Sequence, residues 1–169
     1  MKQGAILLLL AMGLMLGGCG SNQASVQKGA SGIWLAELTG GTGEASGFSF
    51  ITDFTINGNS TLTIESFQFL TTSSSGSECF PLNGGTVVGA MPLTVESNDS
   101  VVGTISYAVT NSGNTLTLTG NVTGTATQNG SGTNVTYTLT SATITGNWTL
   151  KGSCASTATG GNFSMTQST

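Results

Sequence analysis

The chain has 169 residues, only 6 % of them charged, with three lysines, no arginine, no histidine and a net charge of −4. So few cations exclude nucleic-acid partners, whose affinity rests on neutralising phosphates. The missing histidine excludes triads and metal centres built on imidazole.

Met1-Lys2 places one positive charge ahead of an apolar run from Ala5 to Leu16. About a dozen residues is too short for a bilayer core, which takes roughly 20, and fits the apolar part of an export signal. Leu16-Gly17-Gly18-Cys19 follows. It resembles the lipobox of bacterial lipoproteins, Leu-small-small-Cys, at all four positions. The resemblance implies cleavage before Cys19, a diacylglyceryl thioether on its sulfur and acylation of its new amino group. Several acyl chains hold where one binds only marginally. In that family an aspartate after the cysteine favours the inner membrane; Gly20-Ser21 here points to the outer membrane. The expected division is a signal peptide over residues 1–18, a lipidated cysteine and flexible tether over 19–31, and a β domain over 32–169. The expected partner is the membrane, through the anchor, with the domain on the periplasmic or surface face of the cell envelope.

From Ile33 onward the apolar residues alternate with period two, and no helical period is sustained. Phe48, Phe50, Phe54 and Ile56 share one face of a strand, and Asn57-Gly58-Asn59 marks a hairpin turn. The next strand starts on Leu62 and Ile64, then changes phase to Phe67 and Phe69, which predicts a bulge near Glu65-Ser66. Residues 71–86 read as a Ser/Gly-rich loop holding Cys79. Val87, Met91, Leu93 and Val95 alternate around Pro92, which demotes this run to an edge or bulged strand. Ile105, Tyr107 and Val109 form a face, and Asn111-Ser112-Gly113-Asn114 turns the chain. Leu116, Leu118 and Val122 follow, with threonines between them. Val135, Tyr137 and Leu139 then change phase to Ile144, Trp148 and Leu150, which predicts a second bulge near Ser141-Ala142. Phe163 and Met165 mark a last strand. About eight strands with short turns predict an all-β antiparallel meander, a closed or partly closed barrel, with a β-sandwich as the alternative. A short internal repeat, Leu118 to Thr123 against Ile144 to Thr149, puts Gly120 and Gly146 on the apolar face, where glycine marks a bend or a close backbone approach.

With Cys19 assigned to lipid, Cys79 and Cys154 are an even pair in an oxidising compartment, where a disulfide is the default. Two cysteines without histidine do not make a metal site, and neither a phosphate loop nor a calcium motif occurs, so no cofactor is expected. The carboxylates Glu37, Glu44, Asp53, Glu65, Glu78, Glu96 and Asp99 are the remaining catalytic candidates. Glycoside hydrolysis takes a pair of them about 5–9.5 Å apart. Glu37, Asp53 and Glu65 fall instead on polar strand sides or a bulge, so a non-catalytic role is expected.

Gly32-Ile33-Trp34, opening an eight-strand meander, is similar to the Gly-x-Trp start of lipocalins and other calycin barrels. In that family the Trp closes one barrel end under a late-strand arginine; Lys151 is the available substitute here. The resemblance implies a carrier of a small hydrophobic ligand, with Trp34, Phe48, Phe50, Tyr107 and Trp148 as candidate pocket lining. The whole chain also looks like small Gly/Thr-rich envelope lipoproteins with a "TGNWTL"-type late strand, a resemblance that implies location and fold but no activity. The other expectation is an envelope interaction module working through polar Thr/Asn faces.

Overall fold

A computed structural model describes residues 33–40, 49–71, 80, 84–131, 136–154 and 159–167. The expected signal peptide and tether, Cys19, Phe48 and Cys79 lie outside the described residues. The strands are β1 (Trp34–Thr39), β2 (Ser49–Ile56), β3 (Leu62–Thr71), β4 (Thr86–Ala90), β5 (Leu93–Val95), β6 (Ser100–Asn111), β7 (Asn114–Asn129), β8 (Thr136–Lys151) and β9 (Thr159–Gln167). No helix occurs among the described residues.

All strands join one antiparallel sheet in the order β3-β2-β1-β9-β8-β7-β6-β4, with β5 also on β6. Pro92 explains why β4 and β5 are two segments of one strand position. It has no N–H for the ladder, so between Ala90 and Leu93 the regular pairing with β6 is interrupted, although the Pro92 carbonyl still accepts the Thr104 amide at 3.2 Å. The result is a nearly closed barrel of eight strand positions with one unsealed seam, between β3 and β4. Across that seam Thr61 bridges Ala90, and the Met91 amide donates to the Ser60 carbonyl at 2.7 Å. The proline-bearing run therefore sits at the sheet's edge, as its sequence predicts.

Both bulges appear. Asp53 pairs with Ser66 and Phe54 with Ile64, which leaves Glu65 as the extra residue. Thr125 pairs with Ser141 and Ala126 with Leu139, which leaves Thr140 extra. Each restores the inward phase of the apolar residues beyond it, so that Ile64 and Phe67, or Leu139 and Ala142, all reach the core. A third, at Leu70, is not announced by the sequence: Ser49 pairs with Thr71 and Phe50 with Phe69, and Leu70 is left exposed.

The turn after β2 departs from its expected form. Its positive-φ residue is Ser60 (67°), not Gly58, because the loop runs from Asn57 to Thr61 and closes by the Ser60 amide on the Asn57 carbonyl. The Asn111–Asn114 turn has φ of 47° at Ser112 and 80° at Gly113, the two-residue hairpin form whose twist matches its strands.

Up-and-down order sorts the connections. The ends of β1, β3, β6 and β8 and the starts of β2, β4, β7 and β9 lie at one end of the barrel. The start of β1, the turns between β2 and β3 and between β5 and β6, the end of β7, the start of β8 and the end of β9 lie at the other.

Candidate functional site

The barrel interior is filled by the residues that alternate inward. Trp34, Phe50, Tyr107 and Trp148, four of the candidate pocket residues, are each 0 % exposed, so no water-sized void adjoins them. Phe50 of β2 stacks on Tyr107 of β6 across the barrel, with centroids 5.6 Å apart, and Trp34 stacks on Phe54 at the same separation. Phe67 and Phe69 extend the cluster, and Phe80, from the β3–β4 connection, packs on Phe69 at 5.3 Å. Offset and edge-on contacts of this kind add to what burial alone contributes.

One polar group on β2, outside the residues the sequence points to, faces this interior. Thr52 lies in the inward register between Phe50 and Phe54 and is fully buried. The Tyr107 hydroxyl donates to Thr52 Oγ1 at 2.8 Å, and Thr52 Oγ1 donates to the Ser66 carbonyl at 3.0 Å. This chain of bonds ties β6 to β2 and β3 through the middle of the barrel. Burial pushes the Tyr107 phenol above its ordinary range, partly offset by its bond to Thr52. The signal available in the sequence was a threonine at an inward position opposite an inward tyrosine.

Trp148 lies toward the other end from Trp34. Its indole N–H donates to the Thr39 carbonyl at 3.1 Å, passing over Gly161, where a Cβ would stand 2.7 Å from that nitrogen. Lys151 does not cover Trp34. It ends β8 beside Thr115, whereas Trp34 begins β1 beside Gln167, at opposite ends of the barrel. The calycin cap implied by Gly-x-Trp is therefore not formed by Lys151; stacking on Phe54 covers Trp34 instead.

At the end with Lys151, the side-chain oxygen Oδ1 of buried Asn114 accepts the Cys154 amide at 2.8 Å and the Ser153 hydroxyl at 3.4 Å. Cys154 is disulfide-bonded, and its partner lies outside the described residues. The carboxylates that are described face outward from strands or sit in a turn. Glu65 accepts a long bond from the Thr55 hydroxyl, and Glu96 accepts one from Ser100 at 2.7 Å. No three metal-ligating side chains gather among the described residues.

The outer wall over β6–β9 is of another kind. From Ser100 to Thr169 the only charged residue is Lys151. The outward positions pair across strands as Ser106–Thr119–Asn147–Asn162 and as Thr104–Asn121–Thr145–Ser164, rows of hydroxyls and amides. A barrel that spans lipid carries an outward apolar band; this wall carries none. Within it lies a shallow open groove of about 460 Å³, lined by Thr39, Asn121, Thr145, Asn147, Asn162 and Ser164. Gly146 and Phe163 complete its lining. Gly146 pairs with Gly120, the two glycines of the internal repeat, so the repeat faces itself across the β7–β8 ladder. A Cβ on Gly146 would run into the Thr119 carbonyl and come within 2.9 Å of the Phe163 ring, and the same ring would lie 3.0 Å from a Cβ on Gly120. Here the close backbone approach requires glycine, and the Phe163 ring fills the inner side that the two missing side chains leave.

No protein-family model, no curated protein sequence and no solved structure matches this chain.

Proposed function

We propose that this protein is an exported lipoprotein, anchored through Cys19 on the cell envelope, with a non-catalytic role in which the barrel is a rigid support and its outer wall makes the contacts. The observation that carries the second half is the filled interior. Trp34, Phe50, Tyr107 and Trp148 occupy the space a hydrophobic ligand would need. Ligand pockets of the ordinary kind enclose about 300–1,000 Å³ and bury most of the ligand. The complete lipobox supports the first half. An anchor at Cys19 precedes β1 in the chain, and the start of β1 lies at the barrel end opposite Lys151 and the β6–β7 turn.

The carrier reading draws on a different observation, the up-and-down barrel opened by Trp34. Native mass spectrometry of protein purified from its host separates the two readings. The support reading expects the mass of the lipidated chain alone. A retained small apolar molecule would overturn it in favour of the carrier. For the anchor, Cys19→Ser is expected to move the protein from the membrane to the soluble fraction and to remove the acyl mass. A mutant that still sediments with membranes at the modified mass would refute anchoring at Cys19.

A further inference from the structure

We propose that the groove over β7, β8 and β9 binds an uncharged glycan. The inference rests on the reading of the outer wall as the working surface and names its ligand class. Three observations carry it.

The first is charge. In a soluble globular domain about 25 % of residues are ordinarily charged. Here four strands and their connections, residues 100–169, hold Lys151 alone, and that residue does not line the groove. Neither an anion nor a cation finds a counter-charge in it. The second is the absence of an apolar contact surface. The exposed large apolar residues among those described are Ile33, Leu70, Val88 and Val102, and none lines the groove. A lipid tail or the aromatic anchor of a protein partner therefore has nothing to pack on.

The third is the set of hydrogen-bonding groups. Asn147 Nδ2 donates to Asn162 Oδ1 at 3.0 Å and the Thr39 hydroxyl donates to the Asn162 carbonyl at 3.4 Å. With that pair made, the Asn147 carbonyl oxygen remains an acceptor and the Asn162 amide keeps a donor, side by side on neighbouring strands. Adjacent hydroxyls of a sugar present the matching donor and acceptor. Asn121, Thr145 and Ser164 extend the same chemistry along the groove, each hydroxyl serving as donor or acceptor. Stripping water from neutral hydroxyls and amides costs far less than stripping it from charges. The groove is open, so it suits a chain lying along it, and single-site binding is weak. Many copies on one membrane would compensate by multivalency.

The test uses the full chain with a C-terminal affinity tag, captured on beads so that the readout does not depend on the anchor. Fluorescent dextran, mannan and a soluble β-glucan are the neutral probes, and dextran sulfate is the charged one. At least one neutral probe is expected to be retained above bare beads, and dextran sulfate is not. The double variant Asn147→Ala/Asn162→Ala is expected to lose about tenfold of that retention, as two or three hydrogen bonds are removed. Thr127→Ala, the same chemistry on β7 but outside the groove, is expected to retain the probe like wild type. Near-ultraviolet circular dichroism of the buried tryptophans confirms that each variant is folded. Retention of dextran sulfate alone, of no probe, or of a neutral probe equally by the groove variant would overturn the proposal. Failure here leaves anchoring to be judged by Cys19→Ser, and failure there leaves this result standing.

Discussion

Replacing Tyr107 by Phe tests the polar tie inside the barrel. The substitution keeps the ring and its stacking on Phe50 but deletes the hydroxyl that donates to Thr52 at 2.8 Å. Thr52 still donates to the Ser66 carbonyl, but its oxygen is left without a donor where no water reaches it. A neutral hydrogen bond contributes about 0.5–1.5 kcal/mol net, and leaving a buried partner unsatisfied costs about 1–3 kcal/mol. The expected loss is therefore about 1–3 kcal/mol, or about 3–10 °C in Tm for a domain near 150 residues. Urea unfolding of wild type, Tyr107→Phe, Thr52→Val and the double variant measures it. The cycle should return a coupling of about 0.5–3 kcal/mol. A second signature is alkaline. Burial raises the folded phenol's pKa above the unfolded value of about 10, so the unfolded chain ionises first and holds fewer protons. Stability from this group is complete below about pH 10 and falls above it, with a limiting slope of about 1.4 kcal/mol per pH unit. Tyr107→Phe should remove that slope. A coupling near zero, or an unchanged alkaline slope, would refute the argument that this bond is buried and dry.

Gly146→Val should destabilise by at least about 2–3 kcal/mol, because its side chain meets the Thr119 carbonyl, whereas Gly58→Ala, with nothing within 4 Å of the added carbon, should stay within about 0.5 kcal/mol in the same melts. Asn114→Ala should cost about 1–2 kcal/mol and speed hydrogen exchange at the Cys154 amide, which loses its acceptor; unchanged exchange there would argue against the contact. Titration of the denatured, unreduced mature protein should find no free thiol, with Cys79 as the partner of Cys154, and Cys79→Ser should expose one; two free thiols in wild type would exclude that pairing. Ser60→Gly should leave stability equal or higher by up to about 1 kcal/mol, since serine at positive φ is strained and glycine is not; a loss above about 1 kcal/mol would show that the side chain does more than turn the chain.

Alternation along the chain was enough to specify strands, their faces and both phase-restoring bulges, because one buried face imposes a period of two and any slip exposes the whole set. Phe67 and Phe69 could not share a face with Leu62 and Ile64 without an extra residue, and Glu65 is that residue. The Leu16-Gly17-Gly18-Cys19 pattern, which resembles a lipobox, is likewise local and needs no fold to be legible. Alternation does not say which strands meet. That β9 closes on β1, that Pro92 divides one strand position into β4 and β5, and that the seam falls beside β3 depend on pairings among residues far apart in the chain. The candidate pocket residues show the limit most plainly. Trp34, Phe50, Tyr107 and Trp148 were legible as inward residues, but whether inward rings line a cavity or fill one depends on how near the opposite wall stands. Phe50 on Tyr107 and Thr52 beneath its hydroxyl settle that distance, and they come from strands on different sides of the barrel. The groove was illegible for the same reason. Asn121, Thr145, Asn147 and Asn162 read as ordinary outward polar residues until the ladder sets Gly120 against Gly146 and brings β1 alongside β9.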